Sequence, residues 1–590
     1  MNALFLPHLV ADQQEATRSC EIHSHDFLHH IARSKSKILL EHGDPLAFCE
    51  SLIAGKTSAL SQSARQTFEQ ASFDLRDYLI ASCYALLIGE ERRKELSAYF
   101  TPPALCSAVL DAARPFFDNR QHARVLDPAC GGGAFLVPVA RYLVKKAIAQ
   151  GRSTSKAAQI TIERLRGFEL DAGLAAISRK LIAAMFKREF GVMIGREARA
   201  VVKEADTLAE TLPRKFDLVI GNPPYGRIRD RVHHSIAAAA GRAHFGGHTN
   251  FYSLFLLKSL DTLRPGGGLI FVLPTSFVAG PYFSGLRQEI LDRAAVVRLD
   301  LHQDRENLFL GAVQDVCLLV LQKHGSNQLP LDQYEIGIID STGKRRVMGA
   351  FKTSAAGEPW TLPVDTSHNR SQPRSIANGQ LRHFTLADYG YRIRVGKVVP
   401  TRERAALRTR PSAHTLPLIW ASAVRPDGSF EAEGGQKSKN SLWFRPPKKD
   451  VSYATKVPSV IVQRTSNREQ ARRLNAAAVT PKFLEENRQY GFVAENHVIV
   501  LEVTSPRPRV PPALLVKILN SEAANERFSA VSGSFSVSAK LLARLALPDP
   551  ALLPSVKDKY FTRKLSTCFS SIDGVLVPLA TPDGAQNTVN

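Results

Sequence analysis

The sequence predicts an α/β fold in which a doubly wound parallel sheet lies between a helical N-terminal region and a mixed α+β C-terminal region. The main observation is that short apolar runs alternate with longer amphipathic segments between residues 96 and 325. Strands separated by helices are typical of a doubly wound sheet. Two further observations are the polar residues that end successive strands and a change in charge near residue 340.

Seven apolar runs are candidate strands of this sheet. They are ARVLDPA (123–129), RLRGFELD (164–171), ARAVVKEAD (198–206), FDLVIGN (216–222), GGLIFVLP (267–274), VVRLDLH (296–302) and VCLLVLQK (316–323). Before them, apolar residues recur at helical spacing with few glycines or prolines. After residue 340, loops rich in Pro, Gly, Ser and Lys interrupt short elements. We therefore predict three domains, at residues 1–95, 96–325 and 326–590.

Length and composition narrow the class of protein. A chain of 590 residues is too long for a single core. No stretch approaches the roughly 20 apolar residues of a membrane span, and the N-terminus lacks the pattern of a signal peptide. Seven scattered cysteines without a C-x-x-C pair indicate free thiols, a cytoplasmic location and no metal site. They are Cys20, Cys49, Cys83, Cys106, Cys130, Cys317 and Cys568.

The charge is unevenly distributed along the chain. The net charge is +22, yet residues 1–340 hold 40 Lys and Arg against 36 Asp and Glu, whereas residues 341–590 hold 37 against 19. A nearly neutral first part joined to a strongly basic second part favours a partner that is a polyanion, such as nucleic acid. The alternative is a basic surface that serves solubility alone.

A glycine-rich turn follows the first predicted strand. In RVLDPACGGGAFL the strand ends at Asp127, the turn holds Gly131, Gly132 and Gly133, and a helix is predicted to begin near Ala134. Glycines allow a ligand to approach the backbone closely. The spacing is neither G-x-G-x-x-G nor that of a P-loop. By itself, such a turn accommodates a dinucleotide, a phosphate or no ligand.

Four successive strands end in side chains that accept hydrogen bonds. These are Asp127, Glu169, Asp206 and Asn222, in chain order. Ligands of open α/β sheets bind at the carboxyl edge, where these residues are predicted to meet. Glu169 is suited to accept from two ribose hydroxyls, and Asp206 from an adenine amino group.

The fourth strand runs into Asn222, Pro223, Pro224 and Tyr225. An exocyclic amino group on an aromatic base is a poor nucleophile, because its lone pair is delocalised into the ring. The Asn222 side-chain oxygen and the Pro223 carbonyl are candidate acceptors that draw the nitrogen toward tetrahedral geometry. Tyr225 offers a flat face on which a base stacks, typically worth about 1–3 kcal/mol. Such a pocket requires the base to leave the duplex.

The motifs DPACGGGAFL, GFELD, EAD and NPPY, in this order, resemble class I (Rossmann-like) methyltransferases that use S-adenosylmethionine. More narrowly, they resemble the gamma-class N6-adenine DNA methyltransferases of type II bacterial restriction–modification systems, the Eco57I- and TaqI-like methylases. AYFTPPALC (98–106) is similar to the family's Y-x-T-P motif, and Phe309 to its aromatic before a late strand. The chain departs from the usual pattern at Gly132, where Ser is common, and at Ala98, where Gly is common.

The resemblance implies roles for particular residues. The expected cofactor-binding residues are Thr101, Asp127, Ala129, Gly131, Gly133, Glu169, Asp206 and Asn222. The expected catalytic residues, which would hold the flipped adenine, are Asn222, Pro223, Pro224, Tyr225 and Phe309.

The resemblance also implies partners and leaves alternatives open. The basic C-terminal region would recognise a target in double-stranded DNA, and a cognate restriction endonuclease would be encoded separately, because no nuclease pattern is found. We expect a monomer. The segment after NPPY is predicted to face DNA, with Arg227 and Arg229 on phosphates. The alternatives are an RNA or protein-glutamine methyltransferase with the same motif, or a non-catalytic DNA-binding subunit.

Overall fold

The computed structural model describes residues 24–96, 100–118, 123–228, 233, 235, 250–303, 315–325, 331–353, 357–360, 384–412, 414–432, 442–446, 454–464, 472–529 and 537–570. The chain divides into two compact units, the first of residues 1–277 and 282–358, the second of residues 278–281 and 359–590. The finer division into three domains stays a prediction. In the described part of the chain, no helix is both long and apolar enough to cross a membrane.

The first unit begins with a helical region, as predicted. Its helices after a helical segment at residues 24–33 are α1 Lys35–His42, α2 Pro45–Ile53, α3 Gln62–Gln70, α4 Phe73–Leu87 and α5 Glu90–Leu96. The side chains of Asp44, Ser61 and Ser72 cap α2, α3 and α4 by accepting from backbone N–H groups. Such caps typically contribute about 1 kcal/mol each. Helix α4 is buried over most of its second half.

A nine-stranded sheet forms the centre of the first unit. Its strands are β1 Val125–Asp127, β2 Leu165–Glu169, β3 Val202–Glu204, β4 Phe216–Gly221, β5 Leu263–Pro274, β6 Ala294–His302, β7 Val316–Lys323, β8 Gln333–Ile339 and β9 Arg345–Lys352. Their order is β3-β2-β1-β4-β5-β7-β6-β8-β9. The first five in this order are parallel, and β7 is antiparallel to both of its neighbours. All seven predicted strands are present, and β8 and β9 extend the sheet.

Helices cover this sheet and explain why its strands are recognisable in the sequence. They are α6 Pro103–Asp118, α7 Leu136–Ala149, α8 Thr154–Arg164, α9 Ala172–Phe190, α10 Glu197–Val201, α11 Phe251–Thr262 and, after a short helix α12 Ser276–Ala279 that spans the boundary of the two units, α13 Ser284–Arg293. Every residue of β1 and β4 is buried. Parallel strands buried on both faces consist of continuous apolar runs rather than an alternating pattern.

The second unit has the mixed α+β structure that the sequence predicts. Its strands are β10 Tyr391–Val395, β11 Leu407–Arg408, β12 Leu416–Ile419, β13 Trp443–Phe444, β14 Ser459–Gln463, β15 Ala476–Ala478, β16 Val493–Ala494 and β17 Val498–Val503. They form two four-stranded sheets, ordered β10-β17-β14-β15 and β11-β13-β12-β16. The helices are α14 Pro481–Glu486, α15 Pro512–Leu519, α16 Glu522–Ser529, α17 Ala539–Arg544 and α18 Phe561–Ser570.

Candidate active site

The carboxyl ends of β3, β2, β1 and β4 lie side by side, because these four strands are parallel neighbours in the sheet. Asp127 and Glu169 are the last residues of β1 and β2. Asn222 directly follows β4, and Asp206 comes two residues after β3. The four strand-end residues therefore lie along one edge of the sheet, where open α/β folds bind ligands.

The glycine loop between β1 and α7 has a backbone that requires glycine at two positions. Gly131 and Gly133 have φ angles of +53° and +88°, in the left-handed region. A Cβ atom on Gly133 would lie 2.8 Å from Ser178 Oγ. The N–H of Gly131 donates to Glu169 Oε2 over 2.9 Å, which ties the loop to the end of β2.

Asp127 is a buried carboxyl group with a single hydrogen bond. Its Oδ1 accepts from the backbone N–H of Ala129 over 3.2 Å, and its Oδ2 has no partner among the described residues. Burial raises the pKa of Asp127 to about 8; the N–H of Ala129 opposes this shift and the nearby Glu169 adds to it. Asp127 therefore offers a buried oxygen that a donor from a ligand would satisfy.

Glu169 accepts one backbone hydrogen bond on each carboxylate oxygen. Asp171 N–H donates to Oε1 and Gly131 N–H to Oε2, each over 2.9 Å. Burial raises the pKa of Glu169 to about 7, although both N–H groups lower it. A carboxylate oxygen has two lone pairs, so each oxygen can still accept from a hydroxyl group of a ligand. The geometry is compatible with the expected ribose contact.

Asp206 has a neighbour that the sequence did not indicate. Its Oδ1 accepts from Leu208 N–H over 2.9 Å, and its Oδ2 lies 3.0 Å from Nε2 of His233. The His233 ring also packs edge-on against Phe251, with ring centroids 5.1 Å apart. His233 lies in the predicted DNA-facing segment and carries no motif that would have identified it. Much of that segment lies outside the described residues.

Asn222 is held by hydrogen bonds at both ends of its amide. Its Nδ2 donates to Thr101 Oγ1 over 3.1 Å, while the Tyr225 hydroxyl donates to its Oδ1. Thr101 is buried, and the Tyr225 hydroxyl also lies 3.2 Å from the carbonyl of Val272. With Nδ2 on Thr101, Oδ1 is the end of the amide that accepts from the Tyr225 hydroxyl. That oxygen has a second lone pair for an incoming amino group.

The structure describes some of the remaining predicted residues and not others. Pro223 is buried and Pro224 partly exposed, and their fixed φ angles restrain the backbone after Asn222. The Tyr225 ring is perpendicular to that of Tyr252, at 6.3 Å between centroids. Arg227 forms an isolated β-bridge with Asn250. Phe309, Ala98, Tyr99 and Arg229 lie outside the described residues.

A cavity of about 260 Å³ borders the glycine loop from the side of α4 and α6. Phe100, Thr101, Gly132 and Gly133 line it, together with residues of α4, α6 and α7. The strand-end acceptors are absent from its described lining. The Phe100 ring lies beside Gly131, because a Cβ atom on that glycine would be 3.5 Å from the ring. The sequence did not identify Phe100 as a residue of the site. The position of Phe100 beside Thr101 in the Y-x-T-P-like motif is the signal that would have found it.

Several known proteins are similar to this chain. The family model "Eco57I restriction-modification methylase" matches residues 153–309. The type II methyltransferase M.BsuBI of Bacillus subtilis is 24% identical over 79% of this chain and 90% of its own length. M.TthHB8I of Thermus thermophilus, also a type II methyltransferase, is 28% identical over 78% and 92%. The DNA complex of the type IIL restriction-modification enzyme MmeI shares the fold, with a TM-score of 0.54 at 11% identity over 94% of this chain and 96% of that one. Residues 153–309 are therefore similar to the methylase domain of Eco57I restriction-modification proteins, within a fold that this chain shares with MmeI.

Proposed function

We propose that this chain is a site-specific DNA methyltransferase that transfers a methyl group from S-adenosylmethionine to the N6 amino group of an adenine flipped out of duplex DNA. The methylase domain and the relatives named type II methyltransferases support a DNA substrate. The choice of adenine rests on the order of the motifs and on Asn222. The comparisons give no support to an RNA or protein substrate, or to a non-catalytic subunit.

The strand-end edge fits the cofactor. S-adenosylmethionine carries a sulfonium and an ammonium group, and Asp127 is a buried acceptor that no cation of the described chain satisfies. The Glu169 oxygens retain lone pairs for the ribose hydroxyls. Thr101 lines the cavity beside the glycine loop and accepts from Asn222. When bound, the cofactor supplies a methyl group on a positively charged sulfur, which is a strong electrophile.

The observation that carries the proposal is the orientation of the Asn222 amide. Because Nδ2 donates to Thr101, Oδ1 is the amide atom that faces the Tyr225 hydroxyl and can accept from a substrate. In the proposed reaction, Oδ1 and the Pro223 carbonyl accept from the adenine amino group and keep its lone pair directed at the methyl group. The methylated nitrogen then releases a proton to water. The Tyr225 hydroxyl, which now donates to Oδ1, would yield part of that position to the substrate.

The other partners follow from the same proposal. The region after residue 340 carries most of the net positive charge, so we assign it to phosphate contacts and target recognition. Lysine and arginine contacts to phosphate give affinity, whereas contacts to base edges give specificity. We also propose that the cognate restriction endonuclease is encoded separately. The methyltransferase itself would act as a monomer in the cytoplasm.

Expression in a bacterial host that lacks DNA methylation tests the reaction. Long-read sequencing should detect N6-methyladenine at one recurring sequence. The Asn222→Ala variant should lower the methylation rate at least about 100-fold, because it removes a preorganised hydrogen-bond partner of the reacting group.

The control is cofactor binding. Asn222→Ala should still bind S-adenosylmethionine measurably in calorimetry, although more weakly than the wild type, because Asn222 is the one expected cofactor-binding residue that is changed. A wild-type chain that binds the cofactor but leaves host DNA unmodified would contradict the DNA proposal. A variant that methylates at the wild-type rate would contradict the role of Asn222.

A further inference from the structure

The N-terminal helical region packs directly against the glycine loop, although its sequence gave no indication of a role. Ala81 of α4 is buried, and its Cβ lies only 2.6 Å from the position that a Cβ atom on Gly132 would take. Any side chain at Gly132 would therefore displace α4. This contact explains why the chain has glycine at a position where Ser is common in the family it resembles.

One turn further along α4, Tyr84 reaches the helix that follows β2. Its hydroxyl donates to Asp171 Oδ1 over 2.8 Å, and this bond is buried. A Cβ atom on Gly173, in the first turn of α9, would lie 2.1 Å from the Tyr84 oxygen. The space that the tyrosine occupies therefore exists only because residue 173 is glycine.

Asp171 connects this tyrosine to the candidate cofactor site. Its Oδ1 caps α9 by accepting from Gly173 N–H and Leu174 N–H, each over 3.1 Å. Its own backbone N–H donates to Glu169 Oε1 over 2.9 Å. The second oxygen of Glu169 holds the glycine loop through Gly131. Hydrogen bonds and the backbone of Asp171 thus connect α4 to Glu169. From Glu169 the connection continues to the glycine loop, which is the other part of the expected cofactor site.

The N-terminal region also supplies a charge to the same carboxylate. Arg92 of α5 places a guanidinium nitrogen 3.6 Å from Asp171 Oδ2. The negative charge of Asp171 raises the pKa of Glu169, although burial contributes more. Tyr84 and Arg92 therefore hold the Asp171 side chain in place, and its backbone N–H in turn donates to Glu169.

We propose that Tyr84 is a positioning residue for the cofactor: through Asp171, it fixes the Glu169 carboxylate and the glycine loop in the geometry that binds S-adenosylmethionine. The N-terminal helical region is then a wall of the cofactor site. This inference rests on the proposed function, because it assigns Glu169 to the ribose of that cofactor.

The test compares Tyr84→Phe with Tyr391→Phe in the full-length chain. Tyr391 is a matched control, because its hydroxyl also makes a buried hydrogen bond, to the Val510 carbonyl over 2.7 Å, but in the second unit. Calorimetry with S-adenosylmethionine should give a dissociation constant about fivefold higher for Tyr84→Phe, which corresponds to the roughly 1 kcal/mol of one typical hydrogen bond. Tyr391→Phe should bind like the wild type.

Steady-state methylation of DNA separates positioning from general loss of structure. For Tyr84→Phe, the KM for S-adenosylmethionine should rise by the same factor, while kcat and the KM for DNA stay at their wild-type values. An equal loss of kcat, or a KM for the cofactor that does not change, would overturn the proposal. Arg92→Gln, which changes a partly exposed side chain, should raise the dissociation constant about twofold and serves as the test if Tyr84→Phe does not fold.

Failure of the inference can be distinguished from failure of the proposed function. A wild-type chain that does not bind S-adenosylmethionine overturns both. A wild-type chain that binds it, beside Tyr84→Phe and Arg92→Gln variants that bind it equally well, overturns the positioning role alone.

Discussion

Buried carboxylates at the two ends of the central sheet have different partners. Asp300, in β6, is fully buried between Arg298 and Arg345, and Arg345 Nε lies 2.8 Å from its Oδ1. Asp127, at the end of β1, is equally buried, but its described surroundings offer one backbone N–H and no cation. In the second unit, Glu502 follows the Asp300 pattern, with guanidinium groups of Arg392 and Arg394 on its oxygens.

The difference separates structural charges from charges kept for a ligand. Burying an ionised carboxylate is costly unless it is paired and hydrogen-bonded. Asp300 and Glu502 find their partners within the protein, so nothing further is needed to satisfy them. Asp127 and Glu169 have raised pKa values because burial is not offset by a cation. Such an unbalanced pair of acceptors is expected at a site that binds a positively charged ligand.

The largest expected effect is on stability, at the arginine-paired end of the sheet. Asp300→Ala leaves two arginines without their buried carboxylate partner. Removing one partner of a buried ion pair typically lowers the free energy of unfolding by about 3–5 kcal/mol. We expect the melting transition of this unit to fall by about 10 °C in calorimetry. Asp111→Ala is the control, because its ion pair with Arg114 is more than half exposed and should contribute little. If Asp300→Ala is as stable as this control, Asp300 is not a structural charge, and the difference between the two ends of the sheet does not hold.

A second prediction concerns cofactor affinity at the other end. Glu169→Gln keeps the size of the side chain but removes the charge, so S-adenosylmethionine should bind at least about tenfold more weakly. Because the pKa of Glu169 is about 7, wild-type affinity should rise as the pH increases through 7, where the better-accepting carboxylate forms. Calorimetry between pH 6 and 8.5 checks both statements. In Glu169→Gln the change in affinity near pH 7 should disappear, whereas a change near pH 8 from Asp127 is expected to remain. A change near pH 7 that persists in Glu169→Gln would assign it to another group.

The smallest effect should be a gain of stability at Asp127. The folded chain holds this carboxyl with a pKa of about 8, above its usual value near 3.9. The unfolded chain therefore binds fewer protons between these values, and the group lowers stability as the pH rises from about 4 to 8.

Asp127→Asn removes that titration and keeps an oxygen for Ala129 N–H. It also buries an amide NH₂ that has no partner among the described residues of the ligand-free chain, and this cost offsets most of the gain. The ligand-free variant should melt about 2 °C higher than the wild type at pH 8.5, with a smaller difference at pH 5.5. The same variant should bind S-adenosylmethionine more weakly. If the variant is less stable than the wild type at both pH values, Asp127 stabilises the fold in the way that Asp300 and Glu502 do.

Much of the fold and part of the site follow from local sequence. The strands from β1 to β7 are apolar runs that end in polar residues, and this pattern depends only on neighbouring positions. The positions of Asp127, Glu169, Asp206 and Asn222 along one edge follow from strand order alone. The glycine loop is similarly local, because left-handed φ angles at Gly131 and Gly133 require glycine whatever packs around them.

The contacts that orient these residues were decided by tertiary structure. Tyr84 and Asp171 are 87 residues apart, and Thr101 and Asn222 are 121 apart, so no periodicity or motif links the members of either pair. The same holds for His233 on Asp206, 27 residues apart, and for Arg345 on Asp300, 45 residues apart. The sequence determined which acceptors end the strands, because backbone geometry is a local property. Only the packing of distant helices and strands decided which acceptors are neutralised within the protein and which remain for a ligand.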